Sequence, residues 1–296
     1  MNFDHLQMLV LSAELGSFSA CAKKLGKVQS AVSHGISNLE IDLDLVLFDR
    51  SSRKPVLTRD GERIYQRAKV LLAQLNDLEQ ISKSIHKKEE GLITIALDSC
   101  LHTHHLNDVF AQFAKEFPYT QLELKMQPSP DIIAMIQNSE AHLGIMISDL
   151  LVKSHVDFQY VGHLEFIPVC HPQSPLLKLE SINVLALTQY LQIGIRGNQT
   201  EILSQNPTFS DKVWWCNSFQ AALSLVTDGI GWAYLPRFAI ETLLATNKLK
   251  IMPVEFDKKP WNVPIELIMS KKMTPGPALS WLSQALSQSL TQATRW

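Results

Sequence analysis

The sequence predicts a two-part protein of mixed α/β class: a short helical unit closed by a basic hairpin, then a long helix leading into a larger unit of alternating strands and helices. Three observations carry this. Apolar residues recur at helical spacing through the first 43 positions, with Gly16 and Gly26 as breaks. A heptad-like pattern runs from Ile64 to Ile85. Beyond Gly91, short apolar runs alternate with helical patterns, as in a parallel or mixed α/β sheet. A chain of 296 residues has room for two domains.

Residues 3–15 place Phe3, Leu6, Leu9, Val10 and Ala13 on one helical face, and Gly16 ends that helix. Ser17 can cap a second helix carrying Phe18, Cys21, Ala22 and Leu25, whose small residues Ala20, Cys21 and Ala22 let another helix approach closely. Gly26 supplies the turn into a third helix, from about Val28 to Leu43, with Val32, Ile36, Leu39 and Leu43 inward. Helix, glycine turn and helix form a helix-turn-helix pattern. On the opposite face of the third helix, near its N-terminus, lie Gln29, Ser30, Ser33, His34 and Ser37. Such short polar side chains can reach base edges in a major groove, and a helix N-terminus favours phosphate. A plain solvated face fits the same spacing.

Leu45, Leu47 and Phe48, the loop Asp49–Pro55, and Val56-Leu57 predict two short strands around a basic wing, in which Arg50, Arg53 and Lys54 suit phosphate contact. Thr58 can cap a long helix beginning at Arg59. Along it Ile64, Ala68, Leu71, Leu75, Leu78 and Ile85 alternate at spacings of four and three, with Ser82 at the remaining seam position. The pattern fits a dimerising helix, and also one amphipathic helix packed on its own domain. Lys87-Lys88-Glu89-Glu90-Gly91 reads as a hinge. Then come a buried strand at 92–97, a helix through Val109, Phe110, Phe113 and Phe117 stopped by Pro118, a strand at 122–126, a helix through Ile132, Ile133 and Ile136, and a strand at 143–147.

Composition narrows the function classes. Basic and acidic residues nearly balance, 27 against 29, yet Arg50 to Lys69 holds seven basic residues against Asp60 and Glu62. That is a local electrostatic footprint on a mildly acidic chain. No run reaches the ~18 apolar residues of a membrane helix, and the start lacks the basic region of a signal peptide, so the expected location is cytoplasmic, with no membrane partner. Four scattered cysteines (Cys21, Cys100, Cys170 and Cys216) are expected as free thiols. Neither a nucleotide fingerprint nor GxSxG is present, so no cofactor and no enzyme activity are expected. Cys100, His102, His104 and His105 invite a metal reading, but a zinc site usually draws four ligands from separate elements, and no metal is expected. Of the adjacent Trp214 and Trp215, one should line a cleft or an interface, because neighbours on a strand face opposite sides.

Residues 6–61 resemble the DNA-binding domain of the LysR-type transcriptional regulators. The resemblance rests on Leu15-Gly16-Ser17-Phe18-Ser19-Ala20-Cys21-Ala22-Lys23-Lys24-Leu25, Gln29-Ser30-Ala31-Val32-Ser33-His34, Ile36, Leu39-Glu40, Leu47-Phe48-Asp49-Arg50, Arg53, and Leu57-Thr58-Arg59-Asp60-Gly61. The chain departs from that pattern where Val28 replaces a capping Ser or Thr, Gly35 a common Gln, and Asp44 a usual Gly. A lost cap and a mid-helix glycine each cost roughly 1 kcal/mol. More loosely the resemblance extends to nearly the whole chain, through Phe166–Pro172 and Val226–Pro236. His142 stands where the family often has Asp.

The resemblance implies a winged helix-turn-helix over 1–58, a linker helix and hinge over 59–90, and an effector-binding domain over 91–296. The last is similar to periplasmic binding proteins, with one subdomain at 92–162 plus 267–296, a second at 163–266, and a ligand cleft between them. Carried over residue by residue, the family's effector positions fall on Ser99, Cys100, Thr103, Ser129, Arg196, Asn217 and Ser218. Hydroxyls and amides at helix starts suit a carboxylate or another anion, with Arg196 as its partner. For each hydroxyl, helix capping without ligand contact is the competing reading. The implied partners are an inverted-repeat DNA operator and a small-molecule effector. A homodimer through helix 59–88, a homotetramer beyond it, and RNA polymerase as a further contact complete the expectation. A thiol redox sensor at Cys100, or a solute-binding module whose N-terminal unit only dimerises, stands as the alternative.

Overall fold

The computed structural model describes residues 2–51, 54–149, 155–197 and 208–293. It divides into two compact units, residues 1–86 and 87–296.

In the first unit α1 (Phe3–Leu15), α2 (Phe18–Leu25) and α3 (Gln29–Leu43) precede a hairpin of β1 (Phe48–Asp49) and β2 (Val56–Leu57), and α4 (Arg59–His86) follows. Gly16 and Gly26 end the first two helices at φ 60° and 64°, the left-handed conformation that favours glycine. Asp44 does the same for α3 at φ 52°, which explains why a glycine would be usual there. Leu6, Leu9, Cys21, Val32, Ile36, Leu39, Leu47 and Phe48 form the core.

Val28 holds the position just before α3, where the resemblance places a capping residue, with an extended backbone. One detail differs from expectation. The first wing strand begins at Phe48 rather than Leu45, because the Leu45 amide bonds back to Glu40 O and closes the end of α3. The first half of α4 packs on the unit through Ala68, Ile64, Tyr65 and Leu72. Its second half leaves Leu78, Ile81 and Ile85 exposed.

The second unit is a three-layer α/β/α structure around one mixed sheet. Its strands are β3 (Leu92–Leu97), β4 (Gln121–Met126), β5 (Leu143–Ile147), β6 (Val156–Cys170), β7 (Gln192–Ile195), β8 (Val213–Cys216), β9 (Trp232–Pro236), β10 (Lys250–Ile251) and β11 (Trp261–Ser270). The order is β4-β3-β5-β11-β6-β9-β7-β8, with β10 on β6. β3 is apolar at nearly every position because both faces are covered. One face carries Ile93, Ile95 and Leu97 against α5 (His104–Glu116) and α10 (Pro277–Ala293). On the other, Ala96 meets Ile132 and Ile136 of α6 (Ser129–Gln137). Past β6 the first face continues under α8 (Phe219–Thr227) and α9 (Arg237–Ala245), and Trp232 and Tyr234 face Leu187 of α7 (Val184–Leu187).

The sheet is continuous because β6 and β11 are long enough to pass through both expected subdomains. Their antiparallel register shifts between Ile265 and Glu266, opposite Gly162 at φ 149°, and Val161 is left as an extra residue. The unpaired Val161 carbonyl accepts from Thr291 Oγ1 of α10 at 3.2 Å. At the other end of α10, the Glu90 carboxylate accepts the amides of Ala278 (3.1 Å) and Leu279 (3.3 Å). Gly276 leaves room for that carboxylate, since a β-carbon there would press on it.

Candidate functional site

The N-terminal candidate is the outer face of α3. Val32, Gly35, Ile36 and Leu39 are buried against α1 and α2, and Gln29, Ser30 and His34 are exposed, with Ser33 and Ser37 half-buried beside them. Gly35 lies tight against α1: a β-carbon there would press on the flexible Met8 thioether. At this position a side chain the size of Gln has no room unless Met8 moves.

A carboxylate organises the wing. Glu40 Oε1 accepts the amides of Leu47 (2.8 Å) and Phe48 (3.2 Å). Glu40 Oε2 pairs with the Arg50 guanidinium at 2.9 Å, and the same guanidinium donates to Ser37 Oγ at 3.2 Å and lies over the Phe18 ring. Arg50 and Ser37, both expected at the DNA surface, therefore bond to each other, and Arg50, which also pairs with Glu40, fixes the wing on α3. Lys54 is exposed. Arg53 lies outside the described residues. Thr58 Oγ1 donates to Val46 O at 2.6 Å and accepts the Gly61 amide at 2.9 Å, so one hydroxyl caps α4 and ties it to the wing. Gly61 lies so close to the Leu47 carbonyl that no β-carbon fits.

The C-terminal candidate lies at the ends of β3, β5 and β7. Asp98, nearly buried, ends β3. Its Oδ1 accepts the Cys100 amide at 3.1 Å, and its Oδ2 accepts the Ser129 amide at 2.9 Å and the Ser129 hydroxyl. Ser129 Oγ in turn accepts the Ile147 amide at 2.8 Å. Ser129 is fully buried and its hydroxyl serves this network, which ties the starts of a 3₁₀ turn (Ser99–Leu101) and α6 to the end of β5. Ser99 Oγ accepts the Phe219 amide at 3.3 Å, the first of α8, and so reaches from one half of the unit to the other. Ser218 Oγ caps α8 through Ala221 at 3.4 Å, and Asn217 is exposed. The Arg196 amide donates to Cys216 O at 2.9 Å, and its guanidinium sits 5.5 Å above the Trp215 ring. Trp215 lies over Gly194, where a β-carbon would collide with the indole, while Trp214 is exposed. Gly197 packs on Pro130 and Asp131 at the start of α6, a second contact between the halves. Thr103 stands before α5 without capping it, and its buried hydroxyl has no partner.

The structure thus gathers Ser99, Cys100 and Ser129 around Asp98, and brings Ser99 to the start of α8 beside Ser218. Asp98 and Glu40 are the organisers to which sequence reasoning gave no role. Asp98 directly precedes Ser99, and Glu40 stands one turn of α3 beyond Ser37. Cys100 is buried, and burial first, then the neighbouring Asp98 carboxylate, pushes its thiol well above the ordinary range. Burial also raises Cys170 and Cys216. Among the described residues no three His, Cys, Asp or Glu side chains are grouped to hold a metal ion, and no helix is long and apolar enough to cross a membrane.

Residues 3–62 match the model of the lysR-family bacterial regulatory helix-turn-helix protein, and residues 86–291 match that of the LysR substrate binding domain. The HTH-type transcriptional regulator AceR of Acinetobacter baumannii is 31% identical over 286 residues, covering 95% of this chain and 96% of its own. The multiple virulence factor regulator MvfR of Pseudomonas aeruginosa is 27% identical, covering 85% and 75%. Full-length LysG of Corynebacterium glutamicum with bound effector Arg shares the fold at TM-score 0.51 and 17% identity, with 99% of each chain covered. The chain belongs to the LysR-type family of transcriptional regulators, with a DNA-binding helix-turn-helix domain at its N-terminus and an effector-binding α/β domain at its C-terminus.

Proposed function

We propose that the chain works as a homodimer, and as a homotetramer built from two such dimers, reading an inverted-repeat operator through two copies of α3. Gln29, Ser30, Ser33 and His34 meet base edges, and Arg53, Lys54 and the first-turn amides of α3 meet phosphates. Arg50 and Ser37 hold the wing at the angle this needs. The observation that carries the reading is the outer face of α3, polar and exposed at its N-terminal end and fixed in register by Glu40 and Arg50. The second half of α4 supplies the dimer seam through Leu78, Ile81 and Ile85, whose exposure has no role in a lone unit.

In this reading the effector occupies the cleft between the halves 92–162 plus 267–296 and 163–266. Ser99, Thr103, Asn217, Ser218 and Arg196 contact it, while Cys100 and Ser129 act through Asp98. Arg196 supplies a cation for an acidic effector. The Cys100 and Ser129 amides, already bonded to Asp98, are not open to such an anion. The effector is bound and released unchanged, and it acts by binding two arrangements of the assembly with different affinity. The high-lying thiol of Cys100 favours a bound molecule over thiol oxidation as the signal. The setting is the cytoplasm, with RNA polymerase as the downstream partner. Footprinting of the purified protein on DNA flanking its own gene tests the reading. A protected inverted repeat that fades steeply with salt and disappears on Ser33→Ala with His34→Ala supports it. Sequence-indifferent binding by the folded protein sinks it.

A further inference from the structure

Among the described residues, three of the four helices of the N-terminal unit begin under a side-chain cap. Asn2 Oδ1 accepts the His5 amide, Ser17 Oγ the Ala20 amide and Thr58 Oγ1 the Gly61 amide. The fourth, α3, begins after Val28, whose side chain caps nothing. An apolar residue there forfeits the stabilisation that Ser, Thr, Asn or Asp would bring. Packing does not restore it, because Val28 is 67% exposed and lies outside the core of the unit. Val28 also adjoins exposed Gln29 and Ser30, at the end of the helix through which such elements reach base edges. A branched apolar side chain cannot bond to a phosphate or a base edge. One feature of the major groove suits it, the 5-methyl group of thymine, which no other base of unmodified DNA presents.

We propose that Val28 is a specificity-determining residue that packs its two methyl groups on a thymine methyl, next to the base pair met by Gln29. The proposal rests on the reading of α3 as the DNA-contacting helix. The absence of a cap fits it: the Ala31 amide turns back to Val28 O at 3.1 Å, and among the described residues no side chain covers the Gln29 and Ser30 amides, which leaves them for a phosphate oxygen while the Val28 side chain faces the groove.

The test uses the full chain. Duplexes selected by the protein from a random-sequence pool are resynthesised with each thymine replaced in turn by deoxyuridine, which removes only the methyl group. At one position per half-site the replacement is expected to weaken binding by about fourfold, the factor for one buried methyl group. The same penalty is expected to vanish in Val28→Ser, which regains a helix cap and so keeps its fold. It is expected to persist in Ile41→Ser, which removes another exposed apolar residue of α3 (75% exposed) far from its N-terminus. A flat uracil scan, or a penalty that survives Val28→Ser unchanged, overturns the proposal and leaves α3 as a DNA reader. Failure of the wild-type chain to enrich any sequence overturns both.

Discussion

Asp98 is a nearly buried carboxylate with no cation in salt-bridge range among the described residues, held instead by two amides and a hydroxyl. Removing it leaves those donors buried and unpaired, which costs more than the bonds themselves were worth. Asp98→Ala is therefore expected to destabilise the C-terminal unit by about 2–4 kcal/mol in urea unfolding, with Asp98→Asn milder. Glycines divide in the same way by what stands opposite them. At Gly61 the neighbour is the Leu47 main chain, which cannot move aside, so Gly61→Ala should cost the N-terminal unit about 3 kcal/mol. At Gly35 the neighbour is the flexible Met8 side chain, and the ~1 kcal/mol gained in helix propensity offsets part of the strain. Gly35→Ala should melt close to wild type. Arg50 carries a finer distinction. If it positions the wing, Arg50→Met lowers DNA affinity with little change in salt dependence, whereas Lys54→Met lowers the salt slope by about one.

At the level of elements, periodicity made most of the fold legible. α1 to α4 and β3 to β5 lie close to where spacing and glycine breaks put them, because each buries a regular stripe. The exception is a boundary. Leu45 was assigned to the strand because its hydrophobicity says nothing of the amide that closes α3. Spacing along α4 could not separate packing on its own unit from pairing with a second chain; the structure places the first half of the helix on its own unit and leaves Leu78, Ile81 and Ile85 exposed. Leu78→Glu with Ile85→Glu, both at exposed positions, should leave helix content unchanged and weaken self-association about tenfold or more in sedimentation experiments. Unchanged association would assign the seam elsewhere.

Across the whole molecule, the candidate cleft was legible as residue types at strand ends and illegible as bonds. Sequence gives hydroxyls at Ser99 and Ser129. Only coordinates separate the one committed to Asp98 from the one that reaches Phe219. The buried thiols give the C-terminal unit an alkaline limit. A thiol whose folded pKa is raised holds its proton more tightly than in the unfolded chain, so its contribution is intact below the unfolded value and is lost as pH rises above it. From about pH 9 upward, Cys100 alone should lower stability by up to about 1.4 kcal/mol per pH unit, and Cys100→Ala should flatten that part of the melting profile. α10 gives the unit a mechanical character. It is a stiff rod of about 25 Å, pinned at one end to Glu90, just after the hinge lysines, and at the other to the kink in the strand that both halves share. A rod fixed at two joints converts angular play at one into displacement at the other. Glu90 and the kink at Val161 are thereby held at a fixed separation by one helix rather than by a chain of side-chain contacts.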